Sequence, residues 1–165
     1  MTADGEGRRV AEALGLKPLP REGGLFAETY RLGPEEGAAG GRPRATAILY
    51  LLAEGEHSRL HRLRSDEVYH FYAGDPVEIL LLHPDGTGRH LLLGSAVLAG
   101  ERCQLVVPAG TWQGSRLRAG GRWALLGTTM APGFTPDAFE AGRGPELAAA
   151  YPAFASLIAA LCGPE

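Results

Sequence analysis

The densest chemistry in the chain lies between Gly55 and Gly74, in GEHSRLHRLRSDEVYHFYAG, which holds three of the five histidines together with Glu67. His61 and Glu67 flank a turn, so two antiparallel strands can bring an imidazole and a carboxylate to one point. That pair suits a divalent first-row metal. Without a metal, the same two groups can hydrogen-bond across a pocket and trade protons. Farther on, the turn Pro108-Ala109-Gly110 is followed by Gln113, which adds an amide.

Other polar side chains can join them. His70 suits a general base or a fourth ligand, since an ordinary imidazole titrates near neutrality. Strict strand alternation opposes this, because Glu67, Tyr69 and Phe71 share one face and His70 the other unless a bulge intervenes. Glu28 and Tyr30 share a face with Phe26 and can offer a carboxylate and a phenol to a substrate, or simply pack. Arg59 has the parity of His61 and can bind an anion from there, or be a solvated loop arginine. Trp112 can stack on a planar ligand or pack beside its turn. His57 reads as solvated, His83 and His90 as exposed brackets of a hairpin, and Cys103 as core.

The elements that position these groups are mostly strands. Residues 7–15 spell a short amphipathic helix with Val10, Ala11 and Leu14 inward, stopped by Gly15. From Leu25 to about residue 130, turn signals recur roughly every 8 to 12 residues with no helical period between them, as in a β-sandwich or barrel. ATAILYLLA at 45–53 is a nearly continuous apolar run, the pattern of a strand buried on both sides. HPDGTG at 83–88 joins two apolar runs as a hairpin. EEGAAGGRPR at 35–44 reads as a loop. The tail, 145–162, changes to helical spacing at Leu147, Tyr151, Phe154, Leu157, Ile158 and Leu161, with Pro152 opening a second short helix. The count is nine or ten strands between helical ends.

Composition narrows the function. With 165 residues the chain fits one domain, 1–165, able to bury its own core. Its net charge is −3 and its arginines are scattered, which argues against nucleic acid. Glycine (24) and proline (12) are dense enough to punctuate many short strands. Two cysteines far apart in sequence give no disulfide framework or CxxC, and no signal peptide or membrane span is visible. The expected setting is the cytoplasm. No phosphate loop or nucleophile elbow occurs.

The spacing in the opening stretch resembles the cupin superfamily signature: glycine, five residues, His-x-His, three residues, Glu, six residues, glycine. Here these are Gly55, His61, Glu67 and Gly74, with Leu63 in place of the second histidine. The second cupin motif, Pro-x-Gly-x-x-His, ends in Gln113 instead of histidine, so two of four usual ligand positions are changed. EGGLFAETYR, TAILYLL, HRLRSDEVYHFYAGDP, VVPAGTWQ and APGFTPDAFE resemble one branch of small stand-alone cupins, domain of unknown function 985.

The resemblance implies an all-β fold, a double-stranded β-helix or jelly-roll barrel over about 22–140, with a short N-terminal helix and C-terminal helices. It also implies a small-molecule ligand inside the barrel and a homodimer. Two classes of function follow. One is an enzyme: an isomerase or epimerase using His61, Glu67 and His70, or a metal-dependent oxygenase or lyase holding iron, nickel, manganese or zinc at His61, Glu67 and Gln113. In either, Glu28, Tyr30, Arg59, Tyr69 and Trp112 are the substrate-binding candidates. The other is a binding module that keeps a ligand without turning it over. Open sheet edges independently favour pairing of two chains. Sedimentation at micromolar concentration is expected to return about twice the 17.4 kDa chain mass; the mass of one chain excludes the dimer.

Overall fold

The computed structural model describes residues 4–34 and 41–162. Most of the segment read as a loop at 35–44 therefore lies outside the described residues. Among these residues eleven strands form two antiparallel sheets with helices on their outer faces. The first helix, α1 (Asp4–Ala13), is followed by β1 (Lys17–Pro18), β2 (Leu25–Leu32) and β3 (Ala45–Ala53). Then come β4 (His57–Leu63), β5 (Glu67–Gly74), β6 (Val77–Leu82), β7 (Gly88–Leu93), β8 (Gln104–Val107), β9 (Trp112–Leu117), β10 (Trp123–Met130) and β11 (Phe139–Ala141). The tail folds as α2 (Gly144–Ala150), a 3-10 turn at Pro152–Phe154 and α3 (Ala155–Cys162). The strands missed in the sequence are β1 and β11, too short to show a period.

One sheet has the order β1-β2-β3-β10-β5-β8, the other β11-β4-β9-β6-β7. Their inner faces meet in a core that includes Tyr50, Leu52, Tyr69, Ile79, Leu81 and Leu126. The apolar run of β3 divides as a doubly buried strand must. Tyr50 and Leu52 point into that core, while Leu51 packs outward with Ala11 of α1 and Trp123. Helix α1 thus covers its own sheet; Leu14, expected to point inward, lies beyond the helix and is exposed.

The tail closes the other sheet. Leu147, Tyr151, Ile158 and Leu161 pack on Leu60, Leu80 and Leu82, with Phe154 and Leu157 at the margin. Gly114 permits this approach: a Cβ there would stand 3.3 Å from the Leu161 side chain and 3.2 Å from the Ser58 carbonyl. Cys103, expected in the core, is exposed, because it precedes the short edge strand β8 and not a buried one.

Three bulges interrupt the ladders of the described residues, one of them between β10 and β5 at Leu125/Leu126, where Tyr72 is the extra residue. Between β2 and β3 the register slips at Glu28/Tyr30, leaving Thr29 as the extra residue. Between β4 and β9 it slips between Ser58 and His61. Each extra residue reverses which side chains face inward beyond it. The tail is integral to the fold, so Leu161→Ala is expected to cost about 2–4 kcal/mol in urea unfolding; a loss under ~0.5 kcal/mol would mean that α3 is only loosely attached.

Candidate functional site

At one end of the barrel, strands β4, β5 and β9 bring His61, Glu67 and Gln113 together. All three are buried, with exposures of 1%, 6% and 1%. His61 lies opposite Gln113 across the β4–β9 ladder. The Gln113 amide Nε2 donates to Glu67 Oε2 at 2.7 Å, while Gln113 Oε1 is buried with no partner. The expected direct His61–Glu67 hydrogen bond is replaced by this Glu67–Gln113 pair. His61 instead donates from Nδ1 to the Arg59 carbonyl at 2.7 Å. A carbonyl can only accept, so Nδ1 carries a hydrogen and Nε2 is the atom left for chemistry.

Nε2 faces a residue the sequence reading did not single out. Glu22 Oε2 lies 3.9 Å away, and Ser58 Oγ donates to Glu22 Oε1 at 2.8 Å. Glu22 arrives on a tight turn rather than a strand. Arg21 has φ +70° and Gly23 has φ +102°. The Glu22 carbonyl accepts from the Arg59 amide at 2.8 Å, and the Gly23 carbonyl from Tyr50 Oη at 2.9 Å. Only glycine fits at 23, since a Cβ would come 2.5 Å from the His57 carbonyl. A non-glycine residue in the left-handed region costs about 1–2 kcal/mol, so Arg21 marks a turn held under strain beside the site. The available signal was Glu-Gly-Gly after a proline, turn chemistry with a carboxylate at its apex.

The remaining candidates divide. Tyr69 points inward, 2% exposed, beside Glu67. Glu28 reaches the cavity rim but is bound twice by Arg31 (2.6 and 2.8 Å). Tyr30 is turned out by the β2 bulge and is 52% exposed. Arg59 is likewise outside: it sits within the β4 bulge, and its guanidinium donates to the Cys162 carbonyl at 3.0 and 3.3 Å. Trp112 packs beneath the tail helices with Arg62 stacked on it at 4.6 Å, away from the cavity. His70 obeys alternation and faces out, between Thr129 and Gln104, stacked on Tyr72. It cannot serve as base in this barrel. His57 is half-buried with an unpartnered Nε2, and burial followed by the Arg59 charge lowers its pKa from 6.5.

The cavity bounded by Glu22, Glu28 and Glu67 measures about 70 Å3, and its other walls are Thr46, Thr128 and apolar side chains such as Phe26, Leu63 and Phe134. A larger groove of about 530 Å3 on the outer surface carries Arg21, Arg59 and Arg143 but none of these carboxylates. The arginines there are engaged, by Phe139, the Cys162 carbonyl and Glu146 respectively.

Electrostatics separate the groups. Burial raises the pKa of Glu67 and the Glu22 charge raises it further; His61, Thr128 and Gln113 oppose this only in part. Tyr50 and Tyr69 are pushed well above 10, first by burial and then by Glu22 and Glu67 respectively. The donor set fits a tightly held metal poorly. It has one imidazole, a carboxylate already bound to an amide, and apolar Leu63 where a second imidazole would stand. Among the described residues no three His, Cys, Asp or Glu side chains are grouped to hold an ion.

The sequence matches the family described as Cupin superfamily (DUF985) over residues 8–142. A solved structure from Shewanella oneidensis is 35% identical, with TM-score 0.84 over 95% of this chain and 97% of that one. A hypothetical protein from Leishmania major is 30% identical, with TM-score 0.79 over 93% and 95%. Oxalate decarboxylase from Bacillus subtilis shares the fold at 14% identity, with TM-score 0.55 over 91% of this chain and 38% of that one. No curated protein matches.

A raised folded pKa gives Glu67 its full stabilising contribution below the ordinary value of 4.5, and that contribution is lost as pH rises through the folded value. Glu67→Gln is therefore expected to raise the melting temperature at pH 8 by roughly 2–4 °C, with the difference closing near pH 4. A lower melting temperature at pH 8 would show the carboxylate to be net stabilised by its neighbours.

Proposed function

Because the chain belongs to the cupin superfamily, in the family described as DUF985, we propose that its barrel binds a small polar molecule and transfers a proton on it, as an isomerase or epimerase does. The observation that carries this reading is the pairing of His61, whose Nδ1–H is fixed and whose Nε2 faces the cavity-lining Glu22 at 3.9 Å, with Glu67, a cavity-lining carboxyl with a raised pKa. An imidazole with its Nε2 free to accept and a carboxyl readier to hold its proton are the partners that acid–base catalysis requires. Nε2 of His61 takes the substrate proton, and Glu22 at 3.9 Å stabilises the imidazolium that results. Glu67, which burial makes readier to hold a proton, donates on the other side. Gln113 can serve Glu67 in both states, since its amide donates to a carboxylate and, turned over, accepts from a carboxylic acid.

A non-catalytic ligand-binding cupin is the second reading, favoured by the changed positions Leu63 and Gln113 and by a cavity of only about 70 Å3. A metal-dependent oxygenase or lyase would need iron, nickel, manganese or zinc at His61, Glu67 and Gln113, a set whose fit is poor. Pairing of two chains would use the six-stranded sheet, where Tyr30, Tyr72 and Val106 are each more than half exposed and Tyr72 stacks on His70. The free thiols of Cys103 and Cys162 support a reducing, cytoplasmic setting.

Proton transfer at carbon exchanges substrate hydrogen with solvent. Small polar metabolites incubated with the protein in D2O are expected to gain deuterium, with a bell-shaped pH dependence. Glu67→Gln and His61→Asn should each slow this exchange by about 10²–10⁴-fold. Ligand binding that survives His61→Ala with no exchange selects the binding module. One metal ion per chain in tag-free protein selects the metalloenzyme.

A further inference from the structure

Four donors around the Glu22–Glu67 pair are already spent within the protein. Ser58 Oγ donates to Glu22, Gln113 Nε2 to Glu67, Tyr50 Oη to the Gly23 carbonyl and His61 Nδ1 to the Arg59 carbonyl. Beside them stand acceptors: Glu22 Oε2, His61 Nε2, and Gln113 Oε1, which is buried and has no partner, while Glu67 takes hydrogen bonds from Gln113 and Thr128. A buried acceptor left unsatisfied costs about 1–3 kcal/mol, so such an array calls for a ligand that brings donors.

Charge points the same way. Glu22, Glu28 and Glu67 line the cavity, and no arginine or lysine is among its lining residues. Arg31 neutralises Glu28 at the rim, which leaves Glu22 and Glu67 without a permanent cationic partner. Among the described residues they belong to no group of three His, Cys, Asp or Glu side chains that could hold a metal ion. An alkylammonium or amidinium head is larger, carries several N–H donors, and can reach both carboxylates while its carbon body rests on Phe26, Leu63 and Phe134.

We propose that the ligand of this barrel is a small organic cation, a protonated amine or amidine, whose N–H groups are received by Glu22, Glu67 and the free oxygen of Gln113. This rests on the barrel being a ligand site and adds the class of ligand. It excludes the small anions that an inward Arg59 would have served.

The test is an amide NMR titration with three probes of near-equal size: propylammonium, 1-propanol and propionate. Propylammonium is expected to shift the Gln113 side-chain amide and to bind roughly tenfold more tightly than 1-propanol. Glu22→Gln keeps an acceptor for Ser58 and should fold normally; it should remove most of that preference, as should Glu67→Gln. Equal or tighter binding of 1-propanol or propionate, seen at the same Gln113 resonance, overturns the cation assignment and leaves the barrel as a ligand site. Failure of all three probes to move that resonance overturns both.

Discussion

A carboxyl group is buried between two sheets with an amide, not a cation, as its hydrogen-bond partner. The Glu67–Gln113 contact at 2.7 Å carries this burden in a region where water cannot solvate charge. Desolvation alone favours the protonated acid, and Glu22 adds a second negative charge to the same hollow. Such an arrangement persists only because the surrounding sandwich over-determines it. Tyr50, Tyr69 and the apolar faces of both sheets fix the strands, and those strands leave the carboxyl nowhere else to go. The unfavourable electrostatics and the chemical use proposed for the site are the same fact seen from two sides.

The fold could be read from the sequence because its signals are local. Turn residues, alternation and the doubly buried run of β3 each depend on near neighbours, as does the helical spacing from Leu147 to Leu161. His61, Glu67 and Gln113 were legible for a different reason: their spacing fits a known motif. The outer ring of candidates failed where parity failed. An extra residue at Thr29 turned Tyr30 out, and another between Ser58 and His61 did the same to Arg59. Nothing in the residue types announces a bulge. Glu22 was hidden because a turn delivers it, and turns have no period from which to predict a direction. His70 shows the reverse: simple alternation placed it outside, and the structure agrees.

The distant likeness to oxalate decarboxylase, at 14% identity, speaks for the scaffold and not for its use. In this chain a leucine stands where a second imidazole would be expected, and Leu63 contributes an apolar wall, 5% exposed, to the cavity. A glutamine at the fourth position exchanges a metal-binding nitrogen for a group that answers to a neighbouring proton. Both changes move the hollow from ion coordination toward hydrogen bonding.

Arg59 looks like an ordinary surface cation, yet three separate parts of the molecule are fastened to it. Its amide holds the Glu22 carbonyl, its own carbonyl holds the His61 ring, and its guanidinium holds the last carbonyl of α3. Helix α3 is thereby wired to the imidazole through a single residue. A substitution that unseats α3 would therefore also disturb the carbonyl that fixes the tautomer of His61.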